Sequence, residues 1–160
     1  MDKNLRKQLT PLYEQIGAIV QSSQQMEMGI AYSLTLLKRI GSKEFDDEAF
    51  ENSMDVFSKK TLGRLIRELK KHIDLDNSAE KALKLALDER NFVIHRFFND
   101  NIEQFVTPEG RKSCLNRIRQ ARHNIHPGFM VLDGAVQSLM RVSGLNPAQI
   151  VKEVESGIEI

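Results

Sequence analysis

Hydrophobic positions recur every third or fourth residue along most of the chain, and this spacing predicts α-helices. The first series alternates steps of four and three and ends just before Gly41, a residue type common at helix C-termini. Its members are Leu12, Ile16, Ile19, Ser23, Met26, Ile30, Ser33, Leu37 and Ile40. We expect this helix to begin at Pro11, with Thr10 as its cap. The spacing suits a long bundle helix or a dimer seam, and the serines Ser23 and Ser33 argue against a freestanding coiled coil.

The middle of the chain is first acidic and then basic. We interpret residues 42–57 as a loop with a short helix, because six acidic residues crowd this segment with no basic residue between them. These are Glu44, Asp46, Asp47, Glu48, Glu51 and Asp55. The next segment has one apolar face and therefore predicts a helix. That face consists of Leu62, Leu65, Ile66, Leu69 and Ile73. Residues 74–78 should break this helix and cap the next one.

The second half of the chain predicts two further long helices. A central helix should run from about residue 79 to residue 98, and another should begin at Thr107-Pro108. Proline removes a hydrogen-bond donor, so we expect a kink at Pro127-Gly128. Asn146-Pro147 should cap a short C-terminal helix, and residues 155–160 should be loose. No segment alternates with the period of a β-strand.

The apolar series of the last long helix contains one charged residue. It runs through Leu115, Ile118, Arg122, Ile125, Phe129, Leu132, Val136 and Leu139. Arg122 therefore stands in an otherwise apolar register and is a candidate for contact with a phosphate. Together, the predicted elements indicate an all-α bundle of four or five helices with a short C-terminal helix, forming a single domain over residues 1–160.

Composition places this bundle among cytoplasmic proteins. The formal net charge of +1 gives no strong overall field that would select a partner. Cys114 is the only cysteine, which excludes an internal disulfide and suits a reducing compartment. No segment approaches the roughly 18 apolar residues of a membrane span, and the N-terminus does not resemble a secretory signal. We therefore expect a cytoplasmic protein without a membrane partner.

One segment, Asp88 to Phe98, places polar groups in an otherwise apolar helix. Four arginine–histidine pairs in the chain are separated by five to seven positions, whereas chance predicts about one, so spacing alone selects none of them. Arg90 and His95 are the only pair with Phe92-Val93-Ile94 between its members and Phe97-Phe98 after it. Charged groups rarely occupy such positions unless they are paired or used. Metal-free cleavage of a phosphodiester would need these residue types.

Helical geometry brings these groups together only in part. Asn91 and His95 are four residues apart and share a face of the helix. Arg90 and His95 are five apart, which separates them by roughly 140° around the helix axis. A two-fold axis beside this helix would bring two copies of the motif into one composite cleft.

The sequence Arg90-Asn91-x-x-x-His95, late in a small all-α chain, resembles the motif of the HEPN superfamily (higher eukaryotes and prokaryotes nucleotide-binding). The stretch from Ala86 to Phe98, with residues 62–67 upstream, also looks like a group of bacterial HEPN-like proteins. The resemblance implies a four-to-five-helix bundle that forms a homodimer. It also implies a metal-independent endoribonuclease that acts as a toxin or a phage-defence effector, with an antitoxin or another regulatory protein as a further partner.

The resemblance also implies roles for individual residues. His95 would be the acid and base, Arg90 would hold the scissile phosphate, and Asn91 would orient His95 or the phosphate. The product would carry a 2′,3′-cyclic phosphate, and neither a metal nor another cofactor is expected. Toxins of this family that a nucleotidyltransferase silences often carry a tyrosine two residues after the histidine. This chain has Phe97 there, which disfavours that form of regulation.

RNA would need further basic contacts, and several side chains are candidates. Arg96 adjoins His95, and basic residues outnumber the single acid Asp133 across residues 111–141, where Arg119 and Arg122 lie. The simpler interpretation of these arginines is a solvated helix surface. Likewise, His123 and His126 are interpreted as solvent-facing, because no further ligands are spaced to complete a metal site.

Two other functions are compatible with the same sequence. Arg90 and His95 could form fixed structural contacts in a non-catalytic HEPN-like module that regulates a partner. A nucleotide sensor is a weaker alternative, because the chain has no glycine-rich phosphate-binding loop.

Overall fold

The computed structural model describes residues 3–42, 44–142 and 144, and over these residues the protein is helical with no β-strand. The α-helices are α1 (Lys3–Gly41), α2 (Asp47–Ser58), α3 (Leu62–Leu69), α4 (Asn77–His95), α5 (Phe97–Asp100) and α6 (Pro108–Val142). A 3₁₀ helix at Ile102–Val106 connects α5 to α6. The prediction of an all-α bundle is therefore confirmed. The predicted short helix at Asn146-Pro147 and the C-terminal tail lie outside the described residues.

The described residues form two compact units. The first unit contains the chain up to Met26 together with Leu75–Val131. The second contains Glu27–Asp74 together with the chain from Leu132 onward. Helices α1 and α6 each contribute to both units, whereas α4 and α5 belong to the first unit, and α2 and α3 to the second.

Helix α1 begins earlier than its proline predicted. It starts at Lys3 and contains Pro11, so the interpretation of Thr10 as the N-terminal cap is wrong. The Thr10 hydroxyl instead donates to the carbonyl of Arg6, one turn back (2.9 Å). The helix tolerates Pro11 although this residue provides no N–H for the carbonyl of Lys7.

The apolar series of α1 is largely buried, as its spacing predicted. Leu12, Ile19 and Ile30 are almost inaccessible to solvent. The two serines in the series are buried as well, and their hydroxyls donate to carbonyls one turn earlier, Ser23 to Ile19 (2.7 Å) and Ser33 to Gly29 (2.8 Å). A buried hydroxyl with a backbone partner avoids most of the cost of desolvation, which explains how serine occupies these positions.

The acidic segment after α1 forms a 12-residue helix rather than mostly a loop. Asp46 caps this helix, and its carboxylate accepts from the Ala49 amide at 2.8 Å. Phe57 anchors the helix, because its ring is buried and the ammonium groups of Lys38 and Lys60 lie 4.9 and 4.7 Å from its centroid. The acidic residues dominate this segment's sequence, whereas its cap Asp46 and its buried Phe57 determine that it is a helix.

Helix α3 has the apolar face that its spacing predicted, with Leu62, Leu65, Ile66 and Leu69 buried. Helix α4 follows, and its cap is Asp76, whose carboxylate accepts from the Ala79 amide (2.7 Å).

The predicted central helix is interrupted near its end. Helix α4 ends at His95, Arg96 departs from helical geometry, and α5 begins at Phe97. Phe97 is inaccessible to solvent and makes edge-to-face contacts with the rings of Phe92, Phe98 and Phe105. This aromatic cluster stabilises the turn in the chain, because buried aromatic pairs add to the hydrophobic stabilisation.

Helix α6 begins at Pro108, and the Thr107 hydroxyl caps it by accepting from the Gly110 amide (3.1 Å), as predicted. The helix continues through Pro127 without a break. Its buried stripe in the first unit is Cys114, Ile118, Ala121 and Ile125. Arg122 lies between Ile118 and Ile125 in the apolar series, as the spacing indicated, but its side chain is exposed.

A glycine brings α6 unusually close to α4. A Cβ atom at Gly128 would lie 2.5 Å from the Ala86 Cβ and 2.8 Å from the Ala82 carbonyl oxygen. The absence of a side chain at Gly128 therefore determines how closely these two helices pack. Among the described helices, none is long and apolar enough to cross a lipid bilayer.

Candidate functional site

The motif histidine stands at an exposed helix end. His95 is the last residue of α4, its side chain is exposed, and no described residue forms a hydrogen bond or an ion pair with it. Arg96 follows at the turn, where its backbone N–H still donates to the Phe92 carbonyl (2.9 Å) and its side chain is exposed. The imidazole of His95 is therefore accessible to a ligand, and a guanidinium group follows it in sequence.

Two guanidinium groups lie near the ring of Phe92. The Cζ of Arg117 lies 4.2 Å from the ring centroid, and the Cζ of Arg96 lies 5.6 Å from it. Cations are attracted to the face of an aromatic ring. The end of α4 therefore combines a free imidazole, a half-buried aromatic ring and an exposed guanidinium within one turn of helix.

Arg117 is fixed by its contacts. Its Nη2 donates to the Glu89 carboxylate at 2.7 Å, and the other oxygen of that carboxylate accepts from Asn124 at 2.8 Å. The Glu89 side chain is only 12% exposed, so this is a half-buried ion pair between α4 and α6. Arg117 therefore joins two helices. From the sequence, Arg117 was only one member of the basic segment 111–141.

Arg90 and Asn91 contact each other. The Nη1 of Arg90 donates to the Asn91 side-chain oxygen (3.2 Å), and both residues are half-buried. Because α4 is continuous from Asn77 to His95, Arg90 lies roughly 140° around the axis from His95. Within one chain the three motif residues thus fall into a half-buried pair and a separate exposed histidine.

A second candidate site lies between α1 and α6 in the first unit. It is a cleft with a volume of about 510 Å³. Four of its lining residues are arginines or histidines, Arg119, Arg122, His123 and His126. The remaining lining residues are the polar Gln15, Ser22 and Gln25 and the apolar Ile19, Ile125 and Phe129. Pockets of this size take small organic ligands.

A hydrogen bond between described residues crosses the cleft. The Nη1 of Arg122 donates to the Gln15 side-chain oxygen on α1 at 2.9 Å, which orients that guanidinium. The Arg119 side chain is exposed and has no hydrogen bond or ion pair with another described residue. The cleft therefore contains one positioned guanidinium group and one that is available to a ligand.

The two histidines of α6 are exposed, as the sequence analysis predicted, and the structure adds that both line this cleft. Their spacing carried a signal that was missed. Positions 119, 122, 123 and 126 follow the i, i+3, i+4, i+7 pattern, which places four side chains on one helix face. Considered residue by residue, these side chains indicated only a solvated surface.

The described residues contain no group of three or more histidine, cysteine, aspartate or glutamate side chains arranged to hold a metal ion. Compared with protein-family models, with curated proteins and with solved structures, the chain gives no significant match. The chemistry of the two candidate sites is therefore the basis for a proposal about function.

Proposed function

We propose that the protein is a metal-independent, HEPN-type endoribonuclease that acts as a homodimer in the cytoplasm. The observation that carries this proposal is the exposed imidazole of His95 at the end of α4, which no other described residue engages, with the exposed guanidinium of Arg96 following it in sequence. Histidine transfers protons near neutral pH, and arginine binds phosphate through a planar, permanently charged fork. The resemblance of Arg90-Asn91-x-x-x-His95 to the family motif supports the same reaction.

The proposed chemistry is a transesterification within the RNA strand. His95 accepts the proton of the 2′-hydroxyl, and the 2′-oxygen attacks the adjacent phosphorus. The bond from phosphorus to the 5′-oxygen breaks, and that oxygen takes a proton from the now protonated His95. The products are a 2′,3′-cyclic phosphate and a free 5′-hydroxyl. Arginine side chains stabilise the charge that develops on the phosphate oxygens.

A second copy of the chain would complete this site. Arg90 and His95 lie on different sides of α4, so one chain does not present both to the same phosphate. A two-fold arrangement of two α4 helices would bring Arg90 of one copy near His95 of the other. Arg90 would then exchange its contact with Asn91 for a contact with the phosphate.

The first test measures RNA cleavage by purified protein in excess EDTA. We expect the wild-type protein to cleave RNA under these conditions. The cleavage rate should fall at least about 100-fold in His95→Ala, which is the lower end of the range for loss of a general acid–base. The matched control is His72→Ala, because His72 is also exposed. Fragments should carry cyclic phosphate ends, which block enzymatic 3′ extension until they are opened and removed. If a broad RNA panel stays intact with wild-type protein, the nuclease proposal fails.

The shared site has its own test, in which inactive copies are mixed. A dimer of one His95→Ala copy and one Arg90→Ala copy keeps one intact composite site. After subunit exchange we expect about a quarter of wild-type activity, because half of the dimers are mixed and each has one intact site of two. A site built within one chain would give no restoration.

A role as a toxin or phage-defence effector would follow from the same activity. Induced expression of the wild type should then arrest growth or reduce phage yield, whereas His95→Ala should do neither. Co-purification of the non-toxic variant from its own host would identify an antitoxin or another regulatory protein.

One observation favours the second candidate, a non-catalytic HEPN-like interaction module. Arg90 already donates to Asn91 within the same chain and is half-buried. If this contact is permanent, Arg90 has a structural role. Arg90→Ala would then lower the unfolding temperature. No RNA would be cut by Arg90→Ala, by His95→Ala or by the wild type.

A further inference from the structure

The cleft between α1 and α6 has a charge pattern that the proposed nuclease reaction does not use. Of its lining residues in the described part of the chain, none is an aspartate or a glutamate, whereas two are arginines and two are histidines. Elsewhere in this unit, buried or half-buried arginines have partners, as Arg117 does with Glu89 (2.7 Å). Two guanidinium groups on a concave surface with no carboxylate in its lining attract an anion.

The rest of the cleft indicates the kind of anion. Phe129, which is half-buried, provides a surface for a flat or apolar group, and the buried Ile19 and Ile125 also line the cleft. The side chains of Gln15 and Ser22 add hydrogen-bonding groups on α1. With a volume of about 510 Å³, the cleft matches a ligand the size of a small organic molecule rather than a bare ion.

The cleft is separate from the end of α4. Arg117 and Asn124 face α4, through their contacts with Glu89. His126 lies nine residues after Arg117, which is about 180° around the helix. The cleft therefore opens on the side of α6 opposite to the one that contacts α4, and a ligand there would not touch Phe92 or His95.

We propose that the α1–α6 cleft binds a small phosphate ester with an apolar or ring-shaped body. Arg119 and Arg122 hold the phosphate through charge-assisted hydrogen bonds, and the Gln15 contact keeps Arg122 in position. His123 and His126 donate to the remaining oxygens, and Phe129 contacts the body of the ligand. This assigns Arg119 and Arg122 to a small ligand rather than to RNA, and it stands whether or not the protein cleaves RNA.

Phenyl phosphate is a suitable probe, and NMR of the histidine rings is a suitable measurement. The chain contains four histidines, and single His→Gln variants assign their signals. At millimolar phenyl phosphate we expect saturable shifts of the His123 and His126 signals, whereas the signal of the exposed His72 stays unchanged as an internal control. Phenol lacks the charge and inorganic phosphate lacks the ring, so each should bind at least tenfold more weakly than phenyl phosphate.

Substitutions then connect binding to the cleft. The double variant Arg119→Ala/Arg122→Ala should weaken phenyl phosphate binding at least tenfold. The control is Arg141→Ala, an exposed arginine of the same helix that does not line the cleft, and it should leave binding unchanged. Circular dichroism of each variant checks that the helices are retained.

Three results would overturn the proposal. The first is the absence of a saturable shift at His123 and His126 with phenyl phosphate. The second is an equal effect of inorganic phosphate, which would indicate unspecific attraction to surface charge. The third is a shift caused by a short single-stranded RNA that phenyl phosphate neither reproduces nor displaces, which would assign the cleft to RNA.

Discussion

Gly128 provides the sharpest test of how α4, the helix that carries the motif, packs against α6. In Gly128→Ala, the new methyl group would lie 2.5 Å from the Ala86 Cβ and 2.8 Å from the Ala82 carbonyl oxygen. Neither neighbour can rotate away, because one is a methyl carbon attached to the backbone and the other is a backbone atom. The two helices must therefore move apart. Gly134→Ala is the matched control in the same helix, since no atom of the described residues lies within 4 Å of a Cβ there.

The expected size of the effect follows from two opposing contributions. Alanine is favoured over glycine in a helix by about 1 kcal/mol, and this gain applies equally to both variants. Non-bonded carbon atoms normally stay about 3.5–4.0 Å apart, so the contact with Ala86 is short by about 1 Å or more. Overpacking of this kind costs about 1–3 kcal/mol. The free energy of unfolding of Gly128→Ala should therefore be lower than that of Gly134→Ala by about 1–3 kcal/mol.

Urea unfolding followed by far-UV circular dichroism measures this difference. We expect Gly134→Ala to be at least as stable as the wild type and Gly128→Ala to be less stable. In an Ala86→Gly background the cost of Gly128→Ala should be smaller, because the nearer methyl group is absent and the two sites are coupled. If Gly128→Ala and Gly134→Ala have equal stability, the close approach of α4 and α6 is incorrect.

Three further predictions concern the surroundings of the motif. Glu89→Ala should lower the free energy of unfolding by about 1–3 kcal/mol, because it leaves two donors on α6 without their half-buried acceptor. Asp88→Ala breaks only an exposed ion pair and should change the free energy of unfolding by less than about 1 kcal/mol in the same urea assay. Phe97→Ala should cost about 3–5 kcal/mol, because this ring is fully buried, whereas Phe98→Ala at a ring 45% exposed should cost clearly less. Burial raises the pKa of the Cys114 thiol, so the folded protein holds this proton at a pH where the unfolded chain has lost it. The free energy of unfolding should therefore fall as the pH rises above the ordinary thiol pKa. Cys114→Ala should remove that part of the pH dependence. The native thiol should react with an alkylating reagent only as fast as the protein unfolds, and rapid labelling under native conditions would contradict its burial.

Local sequence determined most of the secondary structure. The helix-forming period of the apolar residues identified α3, α4 and α6 as well as most of α1, because that period depends only on the order of residues in the chain. The starts of α4 and α6 were equally predictable. A cap such as Thr107 bonds to an amide three residues away, so all the interacting atoms are close in sequence.

The errors in the sequence analysis share a physical cause, which is contact with distant parts of the chain. Helix α2 looked like a loop because its charges dominate the pattern, whereas the burial of Phe57 stabilises it as a helix. Helix α1 extends through Pro11 because burial of its apolar face outweighs one missing hydrogen bond. Neither fact is visible from neighbouring residues alone.

The two candidate sites also differ in how far the sequence alone could predict them. The sequence by itself identified the motif on α4 and, through helix geometry, the separation of Arg90 from His95 around the axis. Only the tertiary structure joined Arg122 to Gln15, which is 107 positions away, and so created the cleft that His123 and His126 line. Side-chain spacing determines which residues share one helix face, but the packing of that face against a second helix decides whether it is a surface or a binding site.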